Sequence, residues 1–349
     1  MKIMEVASSP HVNFEGYSTR SMMWDVIIAL APAVFVAVWY FGWSAVEQIG
    51  LCVLSCMVFE AFFSFLRGRK PTLDDGSAIL TGLILGLSLP WSAPWQAPVF
   101  GSLIAIGVGK MAYGGLGQNI FNPAMVGRAF IMISFASAMG SGAYVVTQHE
   151  NSILTRPTPM TMLKDTSDSG IAKFIDSESF LRALRGERNG SLGEASVFAL
   201  VFGGCFLLMR KTISWRIPIS MLATIFVLGA LVSPLEHPME YGLAHLLNGA
   251  ALLGAFFIAT DPVTSPITPR GKIYFGIGVG ALTMLFRLFS GYPEGVMFAV
   301  LLMNAVVPFL NNMTIPKPFG AENPSGSTCR RCQLGLKKVG VNCGSKKEK

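Results

Sequence analysis

The chain has 349 residues, of which 52% are hydrophobic and only 13% charged, and its mean hydropathy is +0.52. That is too apolar and too poor in charge for a soluble globular protein, so the class is a polytopic membrane protein. The formal charge of +7 does not indicate nucleic-acid binding, because Lys and Arg are scattered through short loops and the tail, as topology signals are. The 37 glycines and 18 methionines suit closely packed spans, where small residues let helices approach in lipid and Met fills irregular gaps.

Residues 1–20 are polar and lack the charged, apolar and small-residue order of a cleaved signal peptide, so the first apolar run is expected to remain as a span. His11, in a turn-like Ser-Ser-Pro-His, reads as a surface residue. About ten apolar segments follow, near 22–42, 46–66, 76–90, 97–112, 121–139, 195–210, 215–232, 242–260, 272–289 and 294–311. A hydrocarbon core takes roughly 20 helical residues, and several of these segments are short or broken by Gly or Pro. Irregular backbone survives in a bilayer only where protein or a wet cavity surrounds it, so the breaks predict half-helices around an interior site.

Loop charges orient the bundle. Arg67, Arg69, Lys70, Lys110, Arg210, Lys211, Arg216, Arg270, Lys272 and the Lys-rich tail fall on one side, and only Arg287 breaks the trend. The other side has the loop from Trp91 to Trp95 and the acidic loop with Glu236 and Glu240. Both termini are therefore expected in the cytoplasm and the polar interval 140–193 outside. The chain also echoes itself: Asp75-Gly76-Ser77 with TGLILGLSLPWSAP resembles Asn248-Gly249-Ala250 with LLGAFFIATDPVTSP, roughly 170 residues later. The expected fold class is thus all-α, with about ten transmembrane helices in two inverted five-helix repeats and any central site between them. Residues 1–139 and 194–312 are the repeats, 140–193 an extracytoplasmic loop, and 313–349 a cytoplasmic tail.

Few residues invite chemistry. Asp25 in the first span and Asp261 in DPVTSP are expensive in hydrocarbon, which makes them candidates for an ion pathway, or else interfacial and helix-capping groups. Asn119 and Asn122 follow a Gly-rich turn and are expected to close a broken helix and brace the bundle. Cys52, Cys56 and Cys205 read as small buried hydrophobes within spans. Cys329, Cys332 and Cys343 in the tail have thiolate spacing for zinc or an iron–sulfur cluster but lack a fourth ligand. The stretch Thr155-Arg156-Pro157-Thr158-Pro159-Met160 reads by itself as a Pro-stiffened turn. There is no P-loop, dinucleotide fingerprint or HExxH, so redox chemistry would need a cofactor, and a channel or carrier is the other class open to the residues alone.

Five ordered motifs, SSPHV, DDGSAILTGLILGLSLP, GGLGQNIFNPAMVGRAF, FFIATDPVTSPITPRGK and FSGYPEGVMFAVLLMNAVVPF, resemble the RnfD family, a membrane component of the Rnf ion-translocating electron-transport complex. More distantly the chain is similar to NqrB of the sodium-pumping NADH:quinone reductase. The resemblance, which runs to about Asn312, implies a ten-helix bundle in the bacterial or archaeal cytoplasmic (inner) membrane and a translocase subunit not catalytic alone. It implies FMN held through its phosphate on a loop threonine, here Thr158, with Thr155 and Thr161 as other hydroxyls in reach and Arg156 screening the phosphate. Arg156 and Pro157 replace the small pair usual in the family's flavin motif. The resemblance further implies electron transfer between ferredoxin and NAD coupled to Na⁺ or H⁺ movement. The partners implied are the other Rnf subunits, RnfA, RnfB, RnfC, RnfE and RnfG, above all the FMN-carrying RnfG, with a flavin transferase for maturation. A second, noncovalent flavin near Asn119 and Asn122 is suggested by the riboflavin of the quinone-reductase relative.

Overall fold

In a computed structural model of the protein, the residues described are 18–68, 73–139, 145–147, 153–155, 191–194, 196–233, 238–290 and 295–315. Apolar runs become helices because only a helix satisfies its own backbone in lipid. Helix α1 is Thr19–Phe41, started by Ser18, whose side chain accepts the Ser21 N–H at 3.1 Å. Then come α2 (Trp43–Leu66), α3 (Ser77–Leu87), α4 (Gln96–Gly107) and α5 (Pro123–Ser134), the last extended by a short turn at Ala136–Met139. A small antiparallel ribbon pairs Val145–Thr147 (β1) with Ile153–Thr155 (β2), in the register Val145 to Thr155. The second set is α6 (Val197–Met209), α7 (Arg216–Leu231), α8 (Pro238–Leu247), α9 (Ala251–Ile258), α10 (Pro269–Phe289) and α11 (Val296–Thr314).

Among the described residues four helices, α1, α2, α10 and α11, are long and apolar enough to cross a bilayer. The bent pair α8 and α9 makes a fifth if counted as one span, with 65° between its two parts. The protein is therefore a helical, polytopic membrane protein, and α3, α5, α6 and α7 are shorter apolar helices within it. Residues Gly254–Ile258 of α9, beyond the break, are wound as a π-helix.

The two sets pack along similar lines, although in the second α7 also packs closely on α8. In the first set α2 packs on α3 and α4, α4 on α5, and α1 on α3; in the second α7 packs on α9 and α10, α10 on α11, and α6 on α9. Between the sets, α1 packs on α6 and α5 on α11. Glycine permits the tightest crossings. A Cβ on Gly82 would lie 2.6 Å from the Val53 Cα, and one on Gly127 would lie 2.6 Å from the Gly101 carbonyl oxygen. With no hydrophobic drive between helices in lipid, such close approach is what dispersion forces require.

The core is apolar, with Leu30, Leu85, Leu87, Ile131, Leu253 and Phe275 buried, whereas Phe35, Trp39, Trp43, Leu54, Phe62 and Phe65 are exposed on α1 and α2. This reversal of the soluble pattern suits helices facing lipid or a neighbouring membrane subunit. Three sequence expectations are corrected here. Cys205 is on an exposed face of α6 and not inside the packing, although Cys52 and Cys56 are buried. Lys110, in the turn after α4, and Arg287, on α10, were both weighed as topology charges, yet each is 1% exposed. Replacing Gly127 by Ala is expected to lower stability by about 1–3 kcal/mol, read as a lower thermal unfolding midpoint of the detergent-purified protein.

Candidate functional site

Helices α3 and α9 each follow a glycine with a left-handed backbone, Gly76 (φ 74°) directly before α3 and Gly249 (φ 68°) in the break before α9. Only glycine adopts this conformation freely, so these two positions fix where the chain turns. A buried cation stands at each elbow. In the first set Lys110 Nζ donates to both Glu60 carboxylate oxygens at 2.7 Å and to Ser77 Oγ at 2.6 Å. Ser77 in turn donates through Oγ to Asp75 Oδ1 at 2.5 Å, and its N–H bonds the same oxygen at 2.8 Å. In the second set Arg287 donates to the carbonyls of His245 at 2.5 Å and Asn248 at 3.0 Å, at the end of α8 beside Gly249.

The first elbow opens on a cleft between the two sets of helices. About 710 Å³ of space free of protein atoms, part of it open to solvent, is bordered by polar Ser77, Lys110, Asn119, Asn122, Thr260 and Asp261. Met23, Val26, Ile84 and Phe257 supply apolar walls. Asn122 caps α5, its Oδ1 accepting the N–H groups of Ala124 and Met125 at 3.1 and 3.4 Å. Its Nδ2 reaches across to the Ile258 carbonyl at 3.4 Å. Asn304 of α11 ties the same seam: its amide oxygen accepts the Asn122 N–H at 3.1 Å, and its nitrogen donates to the Thr264 carbonyl at 3.2 Å. Asn119 differs. Its Nδ2 donates to the Phe121 carbonyl at 3.1 Å, but its buried Oδ1 has no hydrogen-bond partner. An orphaned acceptor in a cleft wall is a place for a ligand donor or a bridging water.

The two aspartates picked out by sequence lie at this end of the molecule. Asp261 borders the cleft, accepting the Val263 N–H at 3.3 Å and the Thr264 hydroxyl at 3.0 Å in a local turn. Asp25 accepts Arg210 Nη2 at 3.0 Å and the Thr212 hydroxyl at 2.9 Å, and Thr212 lines the cleft. Asp25 thereby clasps α1 to the end of α6. Glu60 was not picked out by sequence, although a lone carboxylate within LSCMVFEAFFSFL was signal enough. Thr155 is the last residue of β2. Thr158, Arg156, Thr161, Cys329, Cys332 and Cys343 lie outside the described residues. Among the described residues no group of three His, Cys, Asp or Glu side chains could hold a metal ion.

Comparison with known proteins places this arrangement. The profile of the NQR2, RnfD, RnfE family matches residues 5–320. The chain belongs to that family. It is 40% identical over 324 residues to the D subunit of the proton-translocating ferredoxin:NAD(+) oxidoreductase complex of Clostridium ljungdahlii, covering 91% of this chain and 96% of that one. It is 39% identical over 317 residues to the D subunit of the Na(+)-translocating ferredoxin:NAD(+) oxidoreductase complex of Acetobacterium woodii, covering 91% and 95%. The D subunit of the ion-translocating oxidoreductase complex of Aeromonas hydrophila is 37% identical over 354 residues, covering 91% and 99%. For this family member, three of the five motifs meet at the cleft. DDGSAILTGLILGLSLP carries the first elbow, GGLGQNIFNPAMVGRAF supplies Asn119 and Asn122, and FFIATDPVTSPITPRGK brings Phe257, Thr260 and Asp261.

A buried ion pair is costly to break from one side only. Glu60→Gln, which leaves the Lys110 ammonium half-partnered, is expected to lower stability by about 3–5 kcal/mol. The double variant Glu60→Gln/Lys110→Met should recover most of that loss, as measured by thermal unfolding.

Proposed function

We propose that the chain is the membrane flavoprotein RnfD of an Rnf-type complex that couples electron transfer between ferredoxin and NAD to movement of Na⁺ or H⁺. Its belonging to the family and the names of its relatives over nine-tenths of its length support this reading. Relatives named for proton and for sodium translocation are almost equally similar, so the coupled ion is left as a monovalent cation. The subunit is not catalytic alone; it works with the other subunits of the complex in the cytoplasmic membrane. The fold proposed is ten spans in two inverted repeats. Its support is the similar packing of the two sets, the two glycine elbows of like φ and the buried cation at each, Lys110 and Arg287. Five spans per repeat would put the second copy in from the opposite face. The cleft end, with Lys110, Arg210 and Arg216, would then face the cytoplasm, and the interval 140–193 the outside.

FMN is proposed as a phosphoester on Thr158, three residues beyond the end of β2 in sequence, with Arg156 screening the phosphate. The cleft is proposed to hold a second, noncovalent flavin. Its fit rests on the orphaned Asn119 Oδ1, which can accept from the N–H of a flavin's pyrimidine edge, and on apolar walls for the ring faces. A flavin supplies the one- and two-electron chemistry for which no side chain here is suited. The protein's own residues orient it, keep its edge from water and set the charge around it.

The observation that carries this reading is the convergence of three family motifs on one cleft with an unmet acceptor. Ultraviolet illumination of a denaturing gel is expected to show a fluorescent band for the wild type matured with a flavin transferase, and none for Thr158→Ala. A band that persists in the variant places the linkage elsewhere. Flavin released by denaturing the purified complex without cleaving the ester is expected to fall at least several-fold in Asn119→Leu, with the fluorescent band retained. A wild-type preparation that releases no flavin would remove the cleft assignment.

A further inference from the structure

The structure assigns a binding surface outside the cleft: Arg216 and Lys272, brought together where α7 and α10 begin, receive the phosphate of an anionic phospholipid whose acyl chains lie along the exposed flanks of these helices. The inference needs only that the chain spans a bilayer, and it stands whatever the cleft holds.

The two cations meet because α7 and α10 run side by side in the same direction. A Cβ on Gly276 would lie 2.8 Å from the Ile217 carbonyl oxygen, and one on Gly280 would lie 2.7 Å from that of Met221, so one turn along α10 matches one turn along α7. Lys272, one turn before Gly276, therefore stands level with the start of α7, where Arg216 is the first residue. Both side chains are partly buried, and the Lys272 ammonium lies within the field of the Arg216 guanidinium. The start of α10 is held in place: Thr268 Oγ1 accepts the Gly271 N–H at 3.1 Å, and Asn311 of α11 accepts the Ile267 N–H at 3.1 Å. The repulsion is thus built into a fixed part of the fold.

The bonds of this pair leave its charge uncompensated. Arg216 donates to the Ser214 hydroxyl at 3.5 Å and lies 5.3 Å from the centre of the Trp215 ring, both neutral partners. Among the described residues no carboxylate forms an ion pair with Arg216, Lys272 or the exposed Arg270. Asp25 is engaged by Arg210, and Asp261 by the Val263 N–H and the Thr264 hydroxyl. A charge that only sets topology can point into water. Two like charges held partly buried against each other cost energy, and an anion bound between them offsets it.

The surroundings say which anion. Trp215 is 54% and Tyr274 55% exposed, and such amphipathic rings sit at the headgroup level of a membrane. From the cations each helix continues as an exposed apolar stripe, Ile219 and Val227 on α7 and Ile273 and Ile277 on α10. Inorganic phosphate would use the cations alone, and an acidic soluble surface would leave the stripes uncovered. A phosphodiester carrying two acyl chains uses both.

The test uses the purified complex, delipidated in detergent and supplied with phosphatidylglycerol or with phosphatidylcholine of the same acyl chains. Native mass spectrometry of the wild type is expected to retain phosphatidylglycerol several-fold over phosphatidylcholine, and phosphatidylglycerol should raise the thermal unfolding midpoint by about 3–5 °C more. Arg216→Gln/Lys272→Gln should lose that difference, whereas Arg67→Gln, at an exposed cation ending α2, should keep it. Equal retention of the two lipids by the wild type, or an equal loss in Arg67→Gln, overturns the site. Inorganic phosphate that raises the midpoint as much as phosphatidylglycerol would make this a free-anion site and overturn the lipid. A preference shown by the isolated full-length chain but not by the complex would mean that a neighbouring subunit covers the patch, with the same result. Should the double variant fail to assemble, Lys272→Gln alone decides: its lipid preference is expected to fall at least twofold, and an undiminished one overturns the site.

Discussion

Inside a bilayer the end of a helix can bond only to protein, and this structure meets that constraint with a buried cation at each of its two glycine elbows. Arg287 covers the last carbonyls of α8 and so makes the break before α9 tolerable. Lys110 holds Ser77 at the start of α3 and draws Glu60 of α2 toward it. Remove either cation and a buried polar group loses a hydrogen-bond partner, at a cost larger than most single packing defects. The short helices α3 and α9 can stop inside the bundle because these anchors exist.

The anchors also explain where the cleft is. Helices that end within the bundle leave space beyond their ends, and at the cleft that space is bordered by the elbow before α3 and by the residues following α9. Glycine closes the crossings elsewhere, as at Gly82 against Val53 and Gly127 against Gly101, so free volume is concentrated where the helices are broken. The polar bonds across the seam, Asn122 to Ile258 and Asn304 to Thr264, hold this wall in register while the apolar residues above it pack. A ligand there would contact both sets of helices at once, which is the arrangement by which a change of charge on the ligand can bias how they sit.

Sequence revealed the elements better than the partnerships. Each apolar run was visible because hydropathy depends only on local composition, and Gly76 and Gly249 were visible as matching points of an internal echo, although the span predicted over 242–260 ran through Gly249 unbroken. Asp25 and Asp261 were noticed because an acid in an apolar run is conspicuous, yet what they bond, Arg210 and Thr264, lies at distances along the chain that no local pattern encodes. Lys110 does lie in the turn after α4, but its burial went unread for the same reason: its partner Glu60 is 50 residues away. Cys205 was misread because α6 is apolar on all sides, and hydropathy alone does not say which side faces lipid. The loop with Thr158 owes its reading to resemblance, since a threonine between prolines has no physical signature of its own.

The seam between the two sets of helices is made by partners that belong one to each set: α1 with α6, and α5 with α11. Asp25 and Arg210 clasp the first pair, and Asn122 and Asn304 bridge the second. The described seam is thus formed by surfaces that belong to separate stretches of the chain. Two polypeptides cut within that interval would still carry, between them, the complementary surfaces needed to find one another in the membrane, which is how an ancestral pair of separate chains could have preceded a fused one.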